Sequence, residues 1–163
     1  MADDEICIDD PRAADVRALL ALHLTFARAQ TPPEDAHAMD VDGLLDPAVT
    51  FFGYRATGVL LAVGALKRLD REHAEIKSMH TAQAARGRGL GRMMLDHLIA
   101  VARERGYRRL SLETGSMTAF APARTLYASA GFELCQPFAD YRMSPNSTYM
   151  TLRLTSGGAR QAG

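Results

Sequence analysis

Apolar residues return at three- and four-residue steps through Leu90, Met93, Met94, Leu98, Val101 and Ala102. That spacing predicts a helix over 89–105, which Gly106 stops. The same period runs through Val16, Leu19, Leu20, Leu22, Leu24 and Phe26, a helix that Asp10-Pro11 would open and that ends near Ala29. Thr31-Pro32-Pro33-Glu34 breaks it, and a short second helix is expected from about Ala38 to Leu45. A further helix, 122–130, carries Pro122 in its first turn and Gly131 at its end. Elsewhere the pattern shortens to strands at 6–8, 49–54, 59–66, 75–81, 108–113, 132–135 and 149–154. The second and third of these make a hairpin around Arg55-Ala56-Thr57-Gly58.

Only the stretch from Glu75 to Leu112 reads as strand, helix, strand, so one parallel pair is expected inside an otherwise antiparallel sheet. The expected fold is α/β (α+β in some schemes), with a mixed, largely antiparallel sheet of six to seven strands and about four helices. A chain of 163 residues, 47% apolar and 23% charged, suits one globular domain, taken as 1–155. Residues 156–163 are expected to form a frayed tail with nothing to bury. Lysines and arginines number 19, as do aspartates and glutamates, which argues against nucleic-acid or membrane-surface binding by bulk charge. The longest nearly apolar run, Gly58 to Leu66, is too short to span a bilayer. The start Met-Ala-Asp-Asp-Glu has no apolar signal core, and Cys7 and Cys135 form no CxxC pair, so the cytoplasm is the expected location.

Three glycines and three arginines stand between a strand and a helix at 86–92. The first turn of a helix has unpaired N–H groups and the positive end of the macrodipole, and glycine lets an anion approach the backbone. A phosphate ligand is the reading this supports. No Gly-Lys-Ser/Thr follows, so a P-loop is excluded. The glycines are spaced GxGxG, not GxGxxG, which leaves a dinucleotide-binding oxidoreductase, with Glu113 as its ribose-binding acid, a distant second reading. The five histidines show no metal-ligand spacing, so no metal is expected, and neither cysteine has a histidine partner in sequence.

Arg86-Gly87-Arg88-Gly89-Leu90-Gly91 matches the Q/R-x-x-G-x-G/A signature of the GNAT superfamily of acyl-CoA-dependent N-acyltransferases. The chain resembles that family over about 59–154. Glu75-Ile76-Lys77-Ser78-Met79, Arg105-Gly106-Tyr107, Leu112-Glu113-Thr114 and Leu126-Tyr127-Ala128-Ser129-Ala130-Gly131-Phe132 fall in family order. The resemblance implies acetyl-CoA as co-substrate, and an amine of a small molecule or peptide as acceptor, attacking directly in a ternary complex. It implies that Arg86, Gly87, Arg88, Gly89, Leu90, Gly91 and Arg92 hold the pyrophosphate, and that Met79, His80 and Thr81 line the pantetheine. Tyr127 is the implied proton donor to the departing thiolate, beside the cofactor sulfur. One departure stands out: Phe120 lies seven residues before the tyrosine, where many members carry asparagine. Arg124 is either a contact to the 3′-phosphate or a solvated helix residue. A non-catalytic acyl-CoA-binding module would keep the turn and need neither Tyr127 nor Glu75.

Glu75 is the candidate base or amine-binding residue. Strand alternation puts Glu75, Lys77 and Met79 on one face and Ile76, Ser78 and His80 on the other. A glutamate and a lysine sharing the face of an inner strand point to a wet cavity; the alternative is a self-satisfied Glu75–Lys77 pair. Glu113 is the second carboxylate. The acceptor site is expected among Pro33, His37, Asp40 and Asp42, then Pro137-Phe138-Ala139-Asp140-Tyr141. A homodimer is compatible with the sequence.

Overall fold

The computed structural model describes residues 5–31 and 41–154. The chain opens with strand β1 (Glu5–Ile8), helix α1 (Ala14–Gln30) and the single turn α2 (Val41–Leu44). Three consecutive strands follow: β2 (Val49–Ala56), β3 (Val59–Arg68) and β4 (His73–Thr81). Then come α3 (Leu90–Glu104), β5 (Arg109–Gly115), α4 (Ala121–Ser129), a two-residue β6 (Glu133–Leu134) and β7 (Ser147–Arg153). All seven strands belong to one sheet, ordered β1-β2-β3-β4-β5-β7-β6. Every neighbour pair is antiparallel except β4–β5, the pair bridged by α3.

The expected architecture holds, with differences at element ends. α1 starts at Ala14 rather than at Asp10-Pro11, because Asp10 accepts the Arg12 N–H in a local turn and delays the helix. The β2–β3 turn tightens to Thr57-Gly58, both at positive φ (49° and 83°), the mirror-image turn that matches strand twist. Of the expected helix 38–45, residues 38–40 lie outside the described residues, as do Pro33, His37, Asp40 and the 156–163 tail.

Two apolar layers sandwich the sheet. On one face Met94, Leu95, Leu98, Ile99 and Ala102 of α3 pack with Ala62, Leu66, Ala74, Ile76, Leu110 and Leu112, and Tyr127 of α4 joins them. Gly64 sits beneath α3, where an added Cβ would meet Met94 Cγ at 2.9 Å, so glycine sets the helix close to β3. On the other face α1 buries Val16, Leu19 and Leu20 against Phe51, Val63 and Ala65. Each such aliphatic side chain contributes about 1.5–3 kcal/mol. Arg55, paired with Asp9 at 2.9 Å and Asp15 at 2.6 Å, ties the start of α1 to the sheet.

Candidate active site

The parallel β4–β5 ladder is short. It pairs His73 with Arg109, Ala74 with Leu110 and Glu75 with Ser111, and stops there. Beyond Glu75 each strand stays paired on its outer side, β4 to β3 as far as Thr81 and β5 to β7 as far as Gly115. The inner edges therefore part, and the sheet opens into a cleft. A cavity of about 400 Å³ fills this opening, walled by β4, β5, α1 and α4. A gap through a sheet lets side chains from both layers meet one space. Glu75 reaches it from the α1 face, and Tyr127 comes from the layer opposite.

A bulge in β4 changes which residues share a face. Val63 pairs with His80 and Ala65 with Lys77, so three steps on β4 oppose two on β3. Ser78 takes φ 57° at this point. Simple alternation placed His80 opposite Glu75 and Met79 beside it. The extra residue reverses both: His80 joins Glu75 and Lys77 on the α1 face, while Met79 turns to the α3 core. His80 there meets His23 of α1, ring centroids 4.9 Å apart. Burial, then the charges of His23 and Arg86, lowers His80 to about 4. Burial lowers His23 as well. His23 Nδ1 and Ser78 Oγ are buried without a hydrogen-bond partner among the described residues. Nothing in the spacing of the histidines announced His23; only the packing of α1 on β4 supplies it.

That depression has a consequence for stability. The folded chain binds a proton at His80 only near pH 4, while an unfolded histidine binds one near 6.5. Between these values the unfolded chain holds more protons, so the contribution is complete above about pH 6.5 and is lost as pH falls toward 4. The urea midpoint is expected to fall between pH 7.5 and 4.5, and by less in His80→Gln. Equal falls in the two proteins would remove His80 from the effect.

Glu75 is 3% exposed, and its Oε2 accepts the Tyr141 hydroxyl at 2.5 Å and the Lys77 ammonium at 3.4 Å. Lys77 also donates to the Tyr141 hydroxyl at 2.9 Å. Among the described residues Glu75 Oε1 takes no partner, so one oxygen is anchored and the other remains available. Both sequence alternatives thus hold together: the Glu75–Lys77 pair exists, and the carboxylate still lines the cavity. Tyr141 is the member that sequence reasoning did not connect to Glu75, since 66 residues separate them. Burial, then the Glu75 charge, raises its phenol far above the ordinary range. Glu113 lines the same cavity from β5.

Tyr127 is 7% exposed, and burial, with the Glu113 charge second, raises its phenol well above the tyrosine norm. It stays protonated at neutral pH. Phe120 packs edge-on against Phe26 of α1 at 5.3 Å, and a Cβ at Gly115 would clash with its ring. It shapes the cavity wall by bulk rather than by polar contact. Arg124 is half-buried, and its Nη1 donates to the carbonyls of Gly115 at 2.7 Å and Met117 at 2.9 Å.

The glycine-arginine turn lies at one end of the cleft, with Arg86 on the cavity wall. Gly87 and Gly89 both hold φ near +80° (79° and 77°), a conformation that costs other residues strain. Gly89 caps α3 with no side-chain cap bond, so the first-turn N–H groups from Leu90 to Arg92 lack helical partners. Gly91 is different: an added Cβ would make only ordinary contacts with Leu126 and Thr81, nearest 3.5 Å. Arg86 and Arg88 are exposed and form no ion pair among the described residues. Arg92 is engaged, with Asp96 at 2.9 Å and Ser129 at 3.1 Å. Unpaired backbone donors, two glycines and two arginines form a cradle suited to adjacent phosphates.

A sheet splayed between a parallel pair, with a glycine-rich turn at the following helix, agrees with the acyl-CoA-dependent transferase class that comparison with known proteins identifies. The chain belongs to the acetyltransferase (GNAT) family, whose model matches residues 15–132, and it is an acetyltransferase. It is 46% identical to the uncharacterized N-acetyltransferase YsnE of Bacillus subtilis over 149 residues, 91% of this chain and 99% of that one. Among solved structures it resembles a putative acyl-CoA N-acyltransferase from Klebsiella pneumoniae, 28% identical, with TM-score 0.72 over 93% of this chain and 97% of that one. A GNAT family acetyltransferase from Elizabethkingia anophelis, solved with acetyl-CoA bound, has the same fold at 17% identity, with TM-score 0.69 over 94% and 100% of the two chains. Among the described residues no helix is long and apolar enough to cross a membrane, and no group of three metal-binding side chains occurs.

Proposed function

We propose that the chain moves an acetyl group from acetyl-CoA to the amine of a small molecule or peptide, with Glu75 and Tyr127 as its proton carriers. One observation carries this reading: the two side chains enter a single cavity from opposite faces of the opened sheet. Acetyl-CoA supplies the activated acetyl thioester. The first-turn N–H groups of α3, with Arg86 and Arg88, hold its pyrophosphate, and the inner edge of β4 at 79–81 faces its amide arm. Arg92, already paired, adds less to the phosphates than its position in the motif implies.

An alkyl ammonium with a pKa near 10 must lose a proton before it can attack. Glu75 Oε1 takes that proton, while Tyr141 and Lys77 hold the other oxygen in place. As the N–C bond forms and the C–S bond breaks, the Tyr127 hydroxyl gives its proton to the departing sulfur. The second proton of the amine nitrogen restores Tyr127, and the proton on Glu75 returns to solvent. The balance is one amide, one free thiol and one released proton. The donor named in this reading belongs to the cytoplasm, as does the reaction.

Glu75→Gln keeps the size of the side chain and removes the proton acceptor. Its kcat at pH 7 is expected to fall about a hundredfold with unchanged affinity for acetyl-CoA, a typical general-base effect. The loss should shrink as pH rises and the acceptor deprotonates in solution. A parallel loss at every pH would make Glu75 a structural residue, and an unchanged kcat would remove it from the chemistry.

A further inference from the structure

A second cavity lies behind Glu75 and Lys77, about 550 Å³ in volume, between the β3–β4 turn and residues 139–141. Glu75 and Lys77 line both cavities, so their side chains are the partition between the two. Lys67 stands directly across from Glu75 in the β3–β4 ladder, and Lys77 follows two residues later on the same face. Lys67, Glu75 and Lys77 therefore share one face of the sheet, and all three line this cavity. Lys77 is bound to Glu75 and Tyr141 with one donor to spare, and Lys67 forms no ion pair among the described residues. The rim carries Arg68, Asp70 and Asp140. Asp70 Oδ1 accepts the Glu72 N–H at 2.8 Å, which fixes this carboxylate in the β3–β4 turn, where the residue is exposed. Asp140 is exposed at the far side.

The half-buried sheet side of the cavity thus carries two lysines to one glutamate, whose second oxygen is unengaged, while Arg68, Asp70 and Asp140 stand exposed at the rim. A simple alkylamine or a peptide amino terminus offers nothing to the extra lysine. A molecule with an ammonium and a carboxylate on neighbouring carbons satisfies both charges. We propose that the second cavity receives the carboxylate of the acceptor, so that the acceptor is a free amino acid, its carboxylate on Lys67 and Lys77 and its ammonium on Glu75. This deepens the proposed transfer and rests on it. The amine then lies at the partition, facing the cavity that holds Tyr127.

The test is thiol release from acetyl-CoA with the common α-amino acids, each beside its amide and its decarboxylated amine. The preferred amino acid is expected to show kcat/KM at least tenfold above its amide and its amine. A lost charge-assisted hydrogen bond is worth about that factor or more. Lys67→Gln should raise KM for the amino acid about tenfold with kcat little changed, and bring acid and amide within about twofold. Amides or amines used as well as the acids, or a Lys67→Gln protein that keeps the acid preference, would overturn the proposal. Acetyl-CoA binding by thermal shift separates the two levels. Binding without turnover of any amino acid overturns the substrate class alone, and no binding overturns the transfer reading with it.

Discussion

Tyr127→Phe is expected to lower kcat by about a hundredfold or more, with the dissociation constant for acetyl-CoA unchanged. Only the hydroxyl is lost, so the ring keeps its packing against Phe132, 5.9 Å between centroids, and the fold keeps its stability. The raised phenol decides the sign of the proton step. Burial and the Glu113 charge keep this proton on oxygen at neutral pH, the state that the proposed donor role requires. A better leaving group needs less help. An acyl donor whose thiol has a lower pKa should therefore recover part of the lost rate in the variant and gain little in the native protein. Rapid-quench or thiol-release kinetics with the two donors measures this. Turnover within twofold of the native value would take Tyr127 out of the mechanism.

Gly89→Glu is expected to abolish acetyl-CoA binding while leaving a folded domain. Three effects act in one direction. A side chain at φ 77° adds backbone strain of roughly 1–2 kcal/mol. Its bulk stands at the mouth of the α3 N-terminus, and its carboxylate competes for the N–H groups the phosphates need. An added Cβ at Gly89 meets nothing within 4 Å, so the core is not disturbed. Calorimetric titration should give no heat with acetyl-CoA, and circular dichroism should keep the native spectrum. Gly89→Ala separates the effects, since it adds strain with little bulk and no charge, and should bind more weakly yet measurably. Gly91→Ala should bind nearly as the native protein does, because that position needs no special backbone. Normal binding by Gly89→Glu would reduce the motif to a turn.

Local pattern carried much of this far. A period of 3.6 with a closing glycine located α3, and alternation located the strands, because each depends on neighbours within a few residues. The single parallel pair followed from the stretch 75–112, where a long helix joins two strands. The glycine-rich turn before α3 was legible because backbone conformation and first-turn donors belong to a contiguous segment. Element starts were less so, as Asp10 shows: its side chain competes with the helix and shifts the start by several residues.

The residues themselves determined the family, the order of the elements and the glycine-arginine turn before α3, and they singled out Glu75 and Tyr127, which line one cavity. Tertiary structure alone decided how they meet. One extra residue at Ser78 reverses the faces beyond it, so alternation misplaces His80 and Met79. The end of the β4–β5 ladder at Glu75 opens the cavity, and no property of either strand in isolation sets where two strands part. Tyr141 reaches Glu75 across 66 residues, Arg124 turns to the Gly115 and Met117 carbonyls, and Lys67 faces Glu75 from the neighbouring strand. These are choices of register and packing. They depend on which distant segments share a surface, and that is settled by burial summed over the whole sheet rather than by any local run of sequence.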